Sequence, residues 1–190
     1  MNTKQLFIRL ATSRSLSDTF KEAVETELRS LTLPKNFLLL HPDTIADHLY
    51  FLNDGFVMSY SYMDGKKVTE KFWKQNQFIT SFESFVEQKP AHEYIQLMTP
   101  CELLCIRHDR LQHLLDNLAE AATIYQHALH QHYIYSLKRT QEIKRLHAQV
   151  RFENLLRAFP KIEQLVSQDC IASYLGITPQ SLSRIKRHKK

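Results

Sequence analysis

The segment Gln168–Arg187 leaves the chain little freedom, because its residue order dictates two short helices and the angle between them. Ser167 is placed to cap a first helix whose inward positions are Ile171 and Leu175. Ala172 on that helix is small, as a second helix crossing closely requires. Gly176 follows, where a left-handed backbone is cheap only for glycine. Ile177 plugs the corner, Thr178 caps a second helix, and Pro179 takes its first position, where a missing N–H costs nothing. Leu182 and Ile185 point back into the small core, which leaves Gln180, Ser181, Ser183, Arg184 and Arg187 facing outward. Two short helices joined at a glycine, the second polar and basic outside, make a helix-turn-helix.

Charge agrees with that reading. The chain has 190 residues and a formal net charge of +5. Lys138–Lys190 carries 12 Lys and Arg against 4 Asp and Glu, a net of +8, while the first 137 residues carry 13 against 16, a net of −3. A weakly acidic body with a basic C-terminal quarter points to a polyanion as partner. The residues expected on double-stranded DNA are Thr178, Pro179, Gln180, Ser181, Ser183, Arg184, Lys186 and Arg187. Arg bonds guanine in a bidentate way and Gln does so with adenine, so Arg184 and Gln180 are the candidate base readers. Lys186, Arg187, Lys189 and Lys190 are candidates for the phosphate backbone, giving a salt-dependent and sequence-independent term.

Upstream, two of the chain's three glycines punctuate a β-rich region. Gly55 closes Asn53-Asp54-Gly55 and Gly65 closes Asp64-Gly65, each between apolar, β-favouring runs, which is a hairpin signal. Strands are expected at Asn36–Leu40, His48–Leu52, Phe56–Tyr62, Lys67–Trp73, Glu93–Met98 and Glu102–Arg107, with Ser81–Val86 readable as a short helix. Residues 3–30 read as helical. Many short strands with regular turns imply an antiparallel sandwich or roll inside an α+β chain.

From Asp109, a plausible N-cap, the apolar period becomes helical at Leu111, Leu114, Leu115 and Leu118. A seam of Leu118, Ala122, Tyr125, Leu129 and His132 then steps by four and three, which suits either pairing with a second copy or packing on the chain's own β domain. Ala121, Ile124 and Ala128 offer a second face. The polar Lys138–Arg145 is a hinge or a helix extension, and a further helix spans Gln149–Phe159 up to Pro160. His127, His130 and His132 do not share one helix face, so they read as polar surface rather than a metal site, with His132 as a pH-responsive seam residue.

Other classes are disfavoured. No apolar run reaches membrane-spanning length, and Met1-Asn2-Thr3-Lys4 does not open a signal peptide, so no membrane association and a cytoplasmic location are expected. Cys101, Cys105 and Cys170 form an odd set without CxxC, read as reduced and, for the first two, buried on one strand face. With no Gly-rich phosphate loop, metal-ligand set or nucleophile motif, neither an enzyme nor a cofactor is expected.

The whole order resembles the Crp/Fnr family of transcription regulators. The resemblance is carried by Ile171-Ala172-Ser173-Tyr174-Leu175-Gly176-Ile177-Thr178-Pro179-Gln180-Ser181-Leu182-Ser183-Arg184-Ile185, and by Tyr50-Phe51-Leu52-Asn53-Asp54-Gly55 through Phe78-Ile79-Thr80-Ser81-Phe82. It implies a jelly-roll-like β-roll (double-stranded β-helix) as sensor over 1–108, a connecting and dimerising helix over 109–147, and a DNA-binding domain over 148–190. A homodimer on two-fold DNA follows, with RNA polymerase and an unknown small effector as further partners. Cyclic-nucleotide binders of this family carry a Gly-Glu pair and an Arg, whose places fall near Thr80-Ser81 and Ala91, so no cyclic-nucleotide response is expected. Ser81, Phe82, Glu83 and His92 are the candidate pocket lining for another effector. Iron–sulfur members have an N-terminal cysteine cluster, whereas no cysteine precedes Cys101, and the usual wing after the recognition helix is expected to be absent or vestigial. The alternative is a sensory or scaffolding module acting through protein contacts, with a degenerate DNA-binding end.

Overall fold

The computed structural model describes residues 1–11 and 15–187. Two four-stranded antiparallel sheets face each other. The first runs β1 (Arg29–Leu33), β8 (Cys101–Arg107), β3 (His48–Asp54), β6 (Phe78–Ile79). The second runs β2 (Leu38–Leu40), β7 (Tyr94–Leu97), β4 (Phe56–Met63), β5 (Lys66–Lys74). Helices α1 (Lys4–Leu10), α2 (Asp18–Glu27), α4 (His108–Asn117) and the start of α5 (Ala119–Arg145) cover the first sheet. On the second sheet lie α6 (Ala148–Ala158), α7 (Ile162–Leu165), α8 (Gln168–Tyr174) and α9 (Pro179–Arg187), while α3 (Phe82–Glu87) follows β6.

Strand alternation explains why the central strands are apolar almost without interruption. Successive side chains point to opposite faces, and here both faces are buried. Leu52, Val57, Trp73, Leu97 and Leu103 turn into the core between the sheets. Their neighbours Phe51 and Leu104 turn outward to Leu6, Phe20, Val24 and Leu114. On the other side Phe56, Met58, Tyr60 and Phe72 turn outward to Phe152, Leu155, Ile171 and Leu175. Each apolar run thus serves two cores at once.

Several local expectations change. Residues 29–33 form strand β1 rather than the end of a helix, pairing Arg29–Leu33 with Cys105–Cys101 and closing the β8 edge. Only Leu38–Leu40 of the expected Asn36–Leu40 strand is extended, since Asn36 has φ 69°. Gly65 does close a hairpin: Asp64 and Gly65 have φ of 51° and 73°, and β4 pairs with β5. Gly55 does not, because β3 and β4 lie in different sheets. Its φ of 116° turns the chain from one sheet to the other, and a Cβ there would lie 2.4 Å from Cys101 Sγ. Asp109 sits in the first turn of α4, whose N-cap is Arg107. Lys138–Arg145 is a helix extension, the last turns of α5. Cys101 and Cys105 are buried, and all three cysteines are free. No described helix is long and apolar enough to cross a membrane.

Candidate nucleic-acid interface

Local chemistry sets the last two helices. Ser167 Oγ accepts from Cys170 N–H at 3.3 Å and opens α8. Gly176, at φ 65°, ends it: Ile177 N–H donates to Ala172 C=O at 3.0 Å and Gly176 N–H to Ser173 C=O at 2.9 Å. That pair of bonds is a Schellman closure, which satisfies the last carbonyls of the helix. Thr178 Oγ1 accepts from Ser181 N–H at 3.2 Å and opens α9. Ile171, Ala172, Leu175 and Leu182 are completely buried, so the two helices cross on a dry core.

The outer face of α9 is open. Thr178, Pro179, Gln180, Arg184 and Arg187 are exposed, and Ser181 and Ser183 are half-buried beside them. Ser181 Oγ shares a hydrogen bond with Thr178 Oγ1 at 3.0 Å. The Lys186 ammonium, a candidate for phosphate, pairs with Glu163 of α7 at 2.5 Å. Lys189 and Lys190 lie outside the described residues.

This pair of helices is joined to the β-roll by more than a linker. Phe72 of β5 packs against Tyr174 of α8 at 4.8 Å between ring centroids, and Phe159 meets Phe56 and Phe72 at 5.8 and 6.0 Å. A bulge at Glu70, where Ser59 pairs with Lys71 but Tyr60 with Thr69, distorts the ladder. Thr69 N–H donates to Ser173 Oγ at 3.0 Å, and Lys74 Nζ donates to Ala158 C=O, at the end of α6, at 2.7 Å. Arg151 of α6 donates to Leu175 C=O at 2.8 Å and to Leu146 C=O at 2.5 Å, tying the ends of α5 and α8. Arg139 of α5 donates to Tyr174 C=O and lies 3.8 Å above its ring. Burial and the neighbouring Tyr135 hydroxyl push the Tyr174 phenol well above its ordinary range.

The candidate pocket residues do not converge. A cleft of about 170 Å³ opens between the β2–β3 loop and the start of α3, and Ser81 lines it with His41, Asp47, His48, Tyr50 and Thr80. Burial pushes the Tyr50 hydroxyl up to about 12. Phe82 lies instead under His132, the rings stacked at 3.7 Å, and Glu83 and His92 are exposed. On the long helix, Leu118 is the extended joint between α4 and α5 and packs on the first sheet's outer core. Ala122, Tyr125, Leu129 and His132 are half-buried, and His127 and His130 are exposed. No group of three potential metal-ligating side chains occurs among the described residues.

One cluster escaped the sequence reading. The alternation that turns Trp73 inward also turns Lys71 inward, so a lysine on the core-facing side of a strand was its available signal. Burial lowers the Lys71 pKa while Glu93 draws it back up. Burial and nearby Glu70 raise that of Glu93, opposed by the Ser59 and Ser81 hydroxyls.

Residues 30–117 match the family model of the cyclic nucleotide-binding domain. The domain and the helices after it together have the fold of Crp/Fnr transcription regulators. CLP of Xanthomonas campestris, a c-di-GMP responsive global regulator, aligns over 90% of this chain and 91% of its own, with a TM-score of 0.68 and 18% identity. A protein of Eubacterium rectale assigned to the Crp/Fnr family aligns over 91% and 83%, with a TM-score of 0.72 and 15% identity. FixK2 of Bradyrhizobium japonicum aligns over 85% and 83%, with a TM-score of 0.68 and 16% identity. No curated protein sequence matches the chain.

Proposed function

We propose that this chain is a DNA-binding transcription regulator that acts as a homodimer and reads its site with α9. The observation that carries this reading is the open face of α9, where Gln180, Arg184 and Arg187 stand exposed on a capped helix anchored by Leu182. Arg184 and Gln180 read base edges, and Arg187 holds phosphate. Thr178, Pro179, Ser181 and Ser183 complete the contact surface. Lys186 joins them by leaving Glu163, since a surface ion pair is worth only about 0–1 kcal/mol.

In this reading residues 1–108 sense, 109–147 connect and dimerise, and 148–190 bind DNA in the cytoplasm, with RNA polymerase as a further partner. Of the stripe Leu118, Ala122, Tyr125, Leu129 and His132, the first and last turn to the chain's own β-roll. The dimer seam therefore runs along α5 through Ala122, Tyr125 and Leu129, with the exposed Tyr133 and Leu137 beside it. Cyclic nucleotides are not the effector in this reading, because the places where binders of the resembled family carry Gly-Glu and Arg fall near Thr80-Ser81 and Ala91, which supply neither. The test is selection from a randomised duplex pool, with sequencing of the bound fraction. Enrichment of a two-fold symmetric site, lost in Gln180→Ala/Arg184→Ala, is expected. No enrichment, or binding indifferent to both substitutions, would overturn the reading.

A further inference from the structure

The mouth of the β-roll that faces α5 holds a charge that DNA recognition does not use. Lys71 Nζ lies 4.9 Å from the ring centre of Trp73 on its own strand and 4.8 Å from that of Tyr135 on α5. Both distances are within reach of a cation–π attraction, which strengthens as water is removed. Lys71 itself is half-buried, and Glu93, just before β7, draws its pKa back up against the lowering effect of burial.

The contact with the helix-turn-helix lies one turn further along α5. Tyr174 is the α8 residue seated on Phe72 and covered by Arg139, four residues after Tyr135. About one turn before Tyr135 on α5, His132 stacks on Phe82. Lys71 therefore sits between β5 and α5, beside the place where both meet α8.

We propose that Lys71 is a built-in ligand, whose ammonium fills the aromatic box between β5 and α5 and, by fixing α5 on the sheet, holds the helix-turn-helix in its docked orientation with no bound effector. Its consequence for DNA rests on the function proposed above, but the latch itself is read without DNA. Trp73 is the single tryptophan of the chain, so its emission reports on the box directly.

The experiment compares the full chain with Lys71→Met, Lys71→Arg and Tyr135→Ala by hydrogen exchange and Trp73 fluorescence. Loss of the cation or of the helix-side ring should speed exchange in α8 and the middle of α5 by about tenfold. Lys71→Arg keeps a cation and should stay within about twofold of the parent. Cyclic AMP, cyclic GMP and cyclic di-GMP at millimolar concentration should leave the parent's Trp73 emission unchanged. Unchanged exchange in Lys71→Met and Tyr135→Ala would overturn the latch, as would a cyclic nucleotide that shifts the parent's emission. If Lys71→Met does not fold, Tyr135→Ala decides alone, because Tyr135 is 41% exposed and lies outside the core. Faster exchange in a chain that binds no DNA would keep the latch and remove the proposed function.

Discussion

The two outer faces of the β-roll are covered by helices of different purpose. On the β1-β8-β3-β6 sheet, Phe51 and Leu104 meet Leu6, Phe20, Val24 and Leu114 and close a core. On the β2-β7-β4-β5 sheet, Phe56, Met58, Tyr60 and Phe72 meet the helices that end in the open face of α9. The same alternation rule builds both, yet one face closes a core and the other joins the roll to the helix-turn-helix head. Burying each large apolar side chain contributes about 1.5–3 kcal/mol. Lifting the head off four of them would therefore cost a large part of a typical domain stability. The head is an extension of the roll rather than a freely swinging domain.

The largest effect that separates the two faces comes from matched aromatic deletions. Phe72→Ala and Phe20→Ala should each cost about 3–5 kcal/mol, since both rings are almost fully buried. Calorimetry should show two transitions for Phe72→Ala, as the head uncouples, and a single lowered transition for Phe20→Ala. Two transitions for both, or one for both, would erase the distinction between the faces.

A smaller effect tests whether the head is also set locally. Thr178→Ala removes the cap of α9 and should cost about 1 kcal/mol. Amide exchange should quicken at Ser181 and its neighbours while the β-roll amides keep their parent rates. Acceleration spreading into β4 and β5 would mean that α9 is not an independent end of the shared core.

The smallest expected effect concerns pH. Burial, then the charge of Lys71, lowers the His132 pKa from its ordinary 6.5. As pH falls below that value the unfolded chain takes up this proton before the folded one, so His132 contributes stability above 6.5 that is lost on acidification. His132→Gln should flatten that part of the profile, followed by denaturant unfolding between neutral and mildly acidic pH. An identical slope in the variant would remove His132 from the account.

What the sequence revealed follows the range of the interactions. Ser167, Gly176, Thr178 and Pro179 act within a turn or two of themselves, so α8 and α9 are legible residue by residue. Asn53-Asp54-Gly55 misled because the backbone chemistry of a hairpin and of a sheet-to-sheet corner is the same, and only distant pairing distinguishes them. Arg29–Leu33 was hidden beside the helical run, its strand character fixed by β8. Lys71 and Tyr135 are far apart in the chain, and nothing near either one specifies the other. The seam on α5 was ambiguous for a related reason: a stripe at helical spacing fits its own β-roll and a second copy equally well.

The most direct test of the central claim is the salt dependence of affinity for the selected duplex, measured for the parent and for Arg184→Ala. The account predicts steep weakening with salt in the parent and a further loss of about 1–3 kcal/mol in the variant, with relaxed preference at one base pair and an unchanged melting temperature. Equal affinity and equal preference in the two proteins would contradict it.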